Sequence, residues 1–197
     1  MKRLITTCII FIISASAVLA AQTELPASSV DYEPIRKGDQ FIHVELGISV
    51  PLFNISSNGL ESTTNLDLGG SGRIGYARFL TSHISLGGSL GFSFNSTLGE
   101  NMFLALPITF RTTYELVFNR IHVPISISTG GVFQTYRTRN YFGLILKPEV
   151  GGYYQYSPDW SFGATLSWDI MPQWYNDSSS NRVGNFLNAM LGLRYHF

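Results

Sequence analysis

From Val183 to Phe197, apolar and polar side chains alternate residue by residue. Leu187, Ala189, Leu191, Leu193, Tyr195 and Phe197 share one parity, while Asn188, Met190, Gly192, Arg194 and His196 share the other. A period of two places successive side chains on opposite faces of an extended strand. This segment is therefore expected to be a strand with one apolar face and one polar or small face.

The pattern recurs upstream, predicting strands that begin near residues 41, 66, 84, 102, 121, 141 and 161. In the first, Ile42, Val44, Leu46, Ile48 and Val50 oppose Phe41, His43, Glu45, Gly47 and Ser49. The clearest is the third, where Ile84, Leu86, Leu90, Phe92 and Phe94 alternate with Ser85, Gly87, Ser89, Gly91 and Ser93. Pro107, Pro124, Pro148 and Pro172 fall inside strands, where each removes a ladder hydrogen bond. The alternation keeps its phase through the first three, so the strands stand, with a ladder weakened at each proline.

Eight strands can close into a barrel whose interior is only wide enough for its own side chains. The Leu, Ile, Val, Phe, Tyr and Trp set is too bulky for that interior, whereas the Gly, Ser, Thr and Ala set fits. The bulky set must then face outward, and an outward apolar band is stable only against lipid. Closure also leaves no unpaired sheet edge. Composition agrees. Charged residues make up 13% of the chain, about half the usual share, too few to coat a water-facing surface. The formal charge of zero gives no footprint for nucleic acid.

Residues 1–21 are expected to be a cleaved secretory signal: Met1-Lys2-Arg3 is basic, Leu4 to Ile13 apolar, and Val18-Leu19-Ala20 small enough for cleavage. Cys8, the single cysteine, lies inside it, which leaves no disulfide or thiol chemistry for the mature chain. Residues 22–39 form a polar periplasmic tail, and residues 40–197 the barrel. Short links at 80–83, 116–120 and 157–160 are expected on the periplasmic side, with longer loops at 54–65, 95–101 and 175–182 outside; the short link at 137–140 breaks the trend. Aromatic girdles are expected from Phe92, Phe94, Phe133, Phe142, Trp174 and Phe186 at the outer rim. Tyr114, Tyr154, Tyr156, Phe162, Tyr195 and Phe197 would form the inner one.

A C-terminal strand ending in Phe, here carried by Leu193, Tyr195 and Phe197, resembles the assembly signal of bacterial outer-membrane β-barrels. With the eight-strand pattern, the chain is similar to the small barrels of the OmpA, OmpX and OmpW type. The stretch from Gly75 through Thr81 into Ile84-Ser85-Leu86-Gly87 resembles an OmpW-like hairpin. The resemblance implies an all-β, eight-stranded antiparallel transmembrane up-and-down barrel. Its implied partners are the outer-membrane bilayer and the barrel-assembly machinery, which would read the C-terminal strand.

Parity turns Glu45, Arg73, Arg111, Lys147, Glu149, Asp169 and Arg194 into the lumen, with Asp67 near the outer rim. Such charges are expected to pair as a structural plug, since isolated ions in a narrow lumen are costly. Strand 8 lies beside strand 1, so Glu45 is expected beside Arg194, with Arg111 sharing the carboxylate. Lys147 or Glu149 should approach Asp169, with Arg73 reaching from across the lumen. His83 and Ser85 superficially match the His-x-Ser of outer-membrane lipid A deacylases but fall at the periplasmic end with lumen parity. His43, His122 and His196 would also gather near that end, as lumen hydrogen-bonding groups. No catalytic, cofactor or metal residues are assigned. The expected role is non-enzymatic, with the loops at 54–65 and 175–182 open to an extracellular ligand. The alternative is a narrow passive channel for small, even hydrophobic, solutes, as the OmpW resemblance implies.

Overall fold

The computed structural model describes residues 34–56, 59–61, 64–97, 101–137, 139–174 and 181–197. The expected signal at 1–21, the tail to residue 33, and most of the loop at 175–182 lie outside the described residues. Among the described residues nine strands form: β1 Gln40–Ser56, β2 Gly59–Glu61, β3 Gly69–Phe79, β4 Ile84–Ser96, β5 Met102–Phe118, β6 Ile121–Tyr136, β7 Arg139–Gln155, β8 Trp160–Gln173 and β9 Arg182–His196.

β2 only folds back on the end of β1, from Asn54↔Glu61 to Ser56↔Gly59. The other eight pair antiparallel in chain order, and β9 returns to β1 from Phe41↔His196 to Ser56↔Arg182. The sheet thus closes on itself as an eight-stranded antiparallel transmembrane β-barrel. The loop expected at 54–65 is in part a hairpin extension of β1.

The β3–β4, β5–β6 and β7–β8 links sit at the same end of the barrel as Gln40 and His196, hereafter the terminal end. The β5–β6 link is only Asn119-Arg120, shorter than the expected 116–120. Asn119 adopts φ 56°, a left-handed conformation that asparagine tolerates in tight turns. The opposite, or loop, end carries the remaining connections, among them the tight β6–β7 turn with Arg137 at φ 55°.

Pro107, Pro124, Pro148 and Pro172 each interrupt one neighbouring ladder and leave the other in register. β4–β5 pairing jumps from Leu90↔Ile108 to Ser93↔Ala105, across Pro107, while Pro107↔Val132 holds. β6–β7 pairing jumps from His122↔Tyr153 to Ile125↔Val150, across Pro124. β7–β8 pairing skips Pro148 and reaches no further than Leu146↔Ile170 on the side of Pro172. The missing N–H explains each gap. Pro51 acts differently. Next to it the β1–β9 register shifts between Pro51 and Phe53, a bulge that adds one residue to β1. Beyond the bulge the inward parity switches, so Asn54 lines the lumen mouth and Ile55 is exposed.

The bulky apolar set faces outward on every barrel strand; Leu191, for example, is 75% exposed. Phe92, Phe94, Phe133, Phe142 and Trp174 are exposed, as are Tyr114, Tyr154, Tyr156, Phe162, Tyr195 and Phe197. Phe186 is the exception to the expected girdle. It shares inward parity with Asn188 and Met190 and lies buried, its ring stacked on Phe103 with centroids 5.6 Å apart. It belongs to an apolar cluster inside the loop end, with Ala105, Val132, Ile145 and Met171. A smaller cluster of Phe41, Ala77 and Phe79 fills the terminal end.

Candidate functional site

Between those clusters the lumen is filled by charge. Small wall residues make this volume available. A Cβ on Gly192 would lie 2.5 Å from the Tyr153 hydroxyl and 3.0 Å from Glu45 Cγ. A Cβ on Gly75 would lie 2.4 Å from the His43 ring. Glycine at these positions lets large side chains from other strands cross the lumen.

The middle tier joins five strands. Arg73 on β3 donates to Glu45 Oε2 on β1 from Nη2 at 2.7 Å and from Nε at 3.0 Å. Its Nη1 donates to Glu149 on β7. Arg111 on β5 approaches both carboxylates, at 3.6 Å from Glu149 and 3.9 Å from Glu45. Ser128 donates to Glu149 at 2.6 Å, and the Tyr153 hydroxyl donates to Glu45 at 3.0 Å. Toward the loop end, Lys147 lies 3.3 Å from Asp169.

The lower tier is separate. Arg194 on β9 donates from Nη1 to Glu115 on β5 at 2.7 Å. Its guanidinium stacks 3.8 Å from the Tyr153 ring centroid and 4.8 Å from that of Phe41. Those ring faces cover a cation whose Nε and Nη2 meet no hydrogen-bond acceptor among the described residues. His122 stands 3.6 Å from Glu115 and shares a hydrogen bond with Gln155 at 3.2 Å. Tyr153 links the tiers, bonding Glu45 at its hydroxyl and carrying Arg194 on its ring.

All seven charges expected in the lumen are buried there, and Asp67 is exposed. Their pairing differs in one respect from expectation. Arg194 faces His43 across the β1–β9 ladder, whereas Glu45 faces Gly192. Glu45 is therefore two residues further toward the loop end, where it meets Arg73, and Arg194 crosses the lumen to Glu115. Glu115 is not among the charges expected in the lumen; it lies on β5 just before the link expected at 116–120, and β5 continues past it to Phe118. Its buried carboxylate completes the inventory: Glu45, Glu115, Glu149 and Asp169 balance Arg73, Arg111, Lys147 and Arg194.

Ser85 is buried inward, while His83 is exposed in the turn, its Nδ1 2.8 Å from Ser82 Oγ. The two do not form a unit. His43, His122 and His196 are inward at the terminal end, where the Phe41 ring lies between His43 and His196, with centroids 6.0 and 5.6 Å away. His196 also contacts Ser161 at 2.8 Å. The described residues hold no group of three or more His, Cys, Asp or Glu placed to hold a metal ion.

At the loop end the lumen opens into a cavity of about 460 Å³. Phe103, Met171 and Phe186 line it, together with Gln134, Gln173 and Asn54. Alternation does contain a signal for this apolar cluster, since Phe103, Val132, Ile145, Met171 and Phe186 share parity with inward residues near one end of their strands.

A closed eight-stranded barrel with an outward apolar band and a charged, side-chain-filled interior defines the class of small transmembrane β-barrels. A protein-family model matches residues 20–195, and the chain belongs to that family. It is 32% identical over 185 residues to an uncharacterized protein of Treponema pallidum (strain Nichols), covering 89% of this chain and 84% of the relative. In fold it is similar to Neisserial surface protein A, with a TM-score of 0.63 at 13% identity, over 82% of this chain and 100% of that one. It is also similar to the outer membrane protein OprG from Pseudomonas aeruginosa, with a TM-score of 0.53 at 10% identity, over 85% and 99% of the two chains.

Proposed function

We propose that this protein resides in the outer membrane as a non-enzymatic β-barrel whose lumen is sealed by its ion-pair network, and that it acts through its loop end at the cell surface. The observation that carries the reading is the balanced set of four buried acids and four buried bases bonded from wall to wall. Arg73 and Arg111 each bridge carboxylates from opposite sides of the barrel, so the middle tier cannot open without unpairing several buried ions at once. Unpaired ions in such a space are strongly unfavourable. The barrel-assembly machinery and the bilayer are its proposed partners, through the C-terminal strand and the outward apolar band.

The test is planar-bilayer recording on the refolded protein. Wild type should add no stable conductance steps, and Arg73→Gln should introduce them by loosening the middle tier. Steady steps from wild type would overturn the plug and favour the passive channel.

A further inference from the structure

A glycine on the lipid-facing side of a strand leaves a dent in the wall unless a neighbouring ring covers it. Gly70 and Gly72 on β3 face outward, opposite Phe94 and Phe92 on β4. A Cβ on Gly70 would meet the Phe94 ring at 2.7 Å, and one on Gly72 would meet both Leu46 and the Phe92 ring at 2.7 Å. Phe142 covers Gly131 in the same way. Gly88 on β4 is bare. Tyr76 on β3 and Phe110 on β5 stand directly opposite it. Even so, among the described residues of other strands, only Thr109 O would lie within 4 Å of a Cβ there, at 3.5 Å. The Tyr76 hydroxyl donates to Gln40 Oε1 on β1, which holds the ring toward β1 and away from β4.

The result is a groove of about 480 Å³ in the outer wall. Ile42, Ile74, Tyr76, Leu90 and Ile108, from four adjacent strands, surround Gly88. Exclusion of water does not select its occupant, because lipid tails are as apolar as these side chains. Close contact does. A slender alkyl chain in a groove meets protein atoms on three sides, where on a flat wall it meets them on one.

Charge beside the groove selects the other half of the ligand. Arg78 is the next outward residue of β3 after Tyr76, toward the terminal end, where it pairs with Gln40 and Leu86. Its side chain is exposed and meets no acceptor among the described residues. Lys37 is held at the same strand end, since the N–H of the adjacent Gly38 bonds to Phe79 O at 2.9 Å. Asp39, the one acid between residues 34 and 39, accepts from the Arg36 N–H at 2.7 Å. A guanidinium near the end of a spanning strand, just beyond an apolar groove, matches a phosphate that carries an alkyl tail. A second cation at that end favours a headgroup of net negative charge.

We propose that the groove over Gly88 holds one acyl chain of an anionic phospholipid from the leaflet at the terminal end, with the lipid phosphate on the Arg78 guanidinium. This lateral site goes beyond the surface role proposed above and depends on neither the sealed lumen nor the loop end.

The test is native mass spectrometry of the refolded full chain, released from detergent micelles that contain phosphatidylglycerol or phosphatidylcholine. Wild type should retain one phosphatidylglycerol, and phosphatidylcholine more weakly. Gly88→Phe, whose ring would fill the groove, should lower retention of phosphatidylglycerol about tenfold, through the loss of many weak contacts. Gly152→Phe adds the same ring at the other bare outward glycine, where a Cβ would meet nothing within 4 Å, and should leave retention unchanged. Arg78→Gln should bring phosphatidylglycerol down to the level of phosphatidylcholine. Should Gly88→Phe fail to show the folded, heat-modifiable band, Gly88→Leu fills the same space with a smaller side chain. Equal retention of the two lipids by wild type would overturn the proposal. So would retention that the folded Gly88 variant leaves intact, or that Gly152→Phe lowers equally. A doubled protein mass in place of the lipid adduct, abolished at Gly88, would assign the groove to a second copy of the chain and overturn it as well.

Discussion

The Glu115–Arg194 pair offers the sharpest energetic test, because it stands apart from the shared carboxylates of the middle tier. Both side chains are almost fully buried, and Nη1 lies 2.7 Å from Oε1. At an effective dielectric near 20, charges that close attract by about 6 kcal/mol, much of which offsets the desolvation of two buried ions. Glu115→Gln leaves the guanidinium with ring faces at 3.8 and 4.8 Å but no carboxylate partner. Each single substitution, Glu115→Gln or Arg194→Gln, should lower unfolding stability by about 3–5 kcal/mol. The double variant buries two neutral groups and should cost less than the sum, giving a coupling of about 2–3 kcal/mol. Urea unfolding of the protein in lipid vesicles, followed by tryptophan fluorescence, measures all four corners of the cycle. A lumen filled with water would reduce the coupling to about 0–1 kcal/mol, as at an exposed pair. The parallel cycle of Glu45→Gln with Arg194→Gln should couple more weakly, because those residues meet only through Tyr153. A Glu115–Arg194 coupling indistinguishable from zero would refute the dry lower tier.

Three further outcomes are expected. The folded barrel should migrate faster than the boiled chain on gels and fractionate with outer membranes; a detergent-independent soluble monomer would contradict the fold. Deleting Phe197, or replacing it with Asp, should cause periplasmic accumulation and degradation, and normal insertion of either variant would remove the assembly role of the C-terminal strand. Gly192→Ala should destabilise the barrel by about 1–3 kcal/mol, the usual cost of overpacking, because its Cβ would displace the Tyr153 hydroxyl that links both tiers; urea midpoints equal to wild type would show that the lumen gives way easily.

Much of the barrel was legible in the sequence because period-two patterning reports which way each side chain points, and an interior for eight strands is too narrow for the bulky set. Strand count, inward and outward faces, and the buried position of seven charges follow from that geometry alone. What parity does not report is height. Glu45 and Arg194 share the inward face of adjacent strands, yet the observed register sets Arg194 opposite His43 and so sends it to Glu115. Nor does parity report where a strand stops: β5 runs on to Phe118, through part of the link expected at 116–120, and carries Glu115 inward with it. Phe186 was assigned to the girdle because it is aromatic and near a strand end, although its own parity, shared with Asn188, pointed inward. The bulge after Pro51 was invisible to alternation, because it changes the phase only where β1 leaves the regular pattern.

The lumen also divides labour along its length, and the division follows from the residues each level can accommodate. Glycine at 75 and 192 clears space where Tyr153, His43 and the arginines cross, so the middle and lower levels hold long charged side chains and close. Toward the loop end the inward positions become Phe103, Val132, Ile145, Met171 and Phe186, which pack against one another beneath the cavity. The bulge after Pro51 then turns Asn54 inward at the same level, adding a polar group above the apolar floor. Among the described residues the barrel is closed below by paired charge, with the aromatic cluster and the cavity above it at the loop end. Substitutions among the residues of the loop end require no movement of the ion pairs below, and should leave the Glu115–Arg194 coupling unaltered.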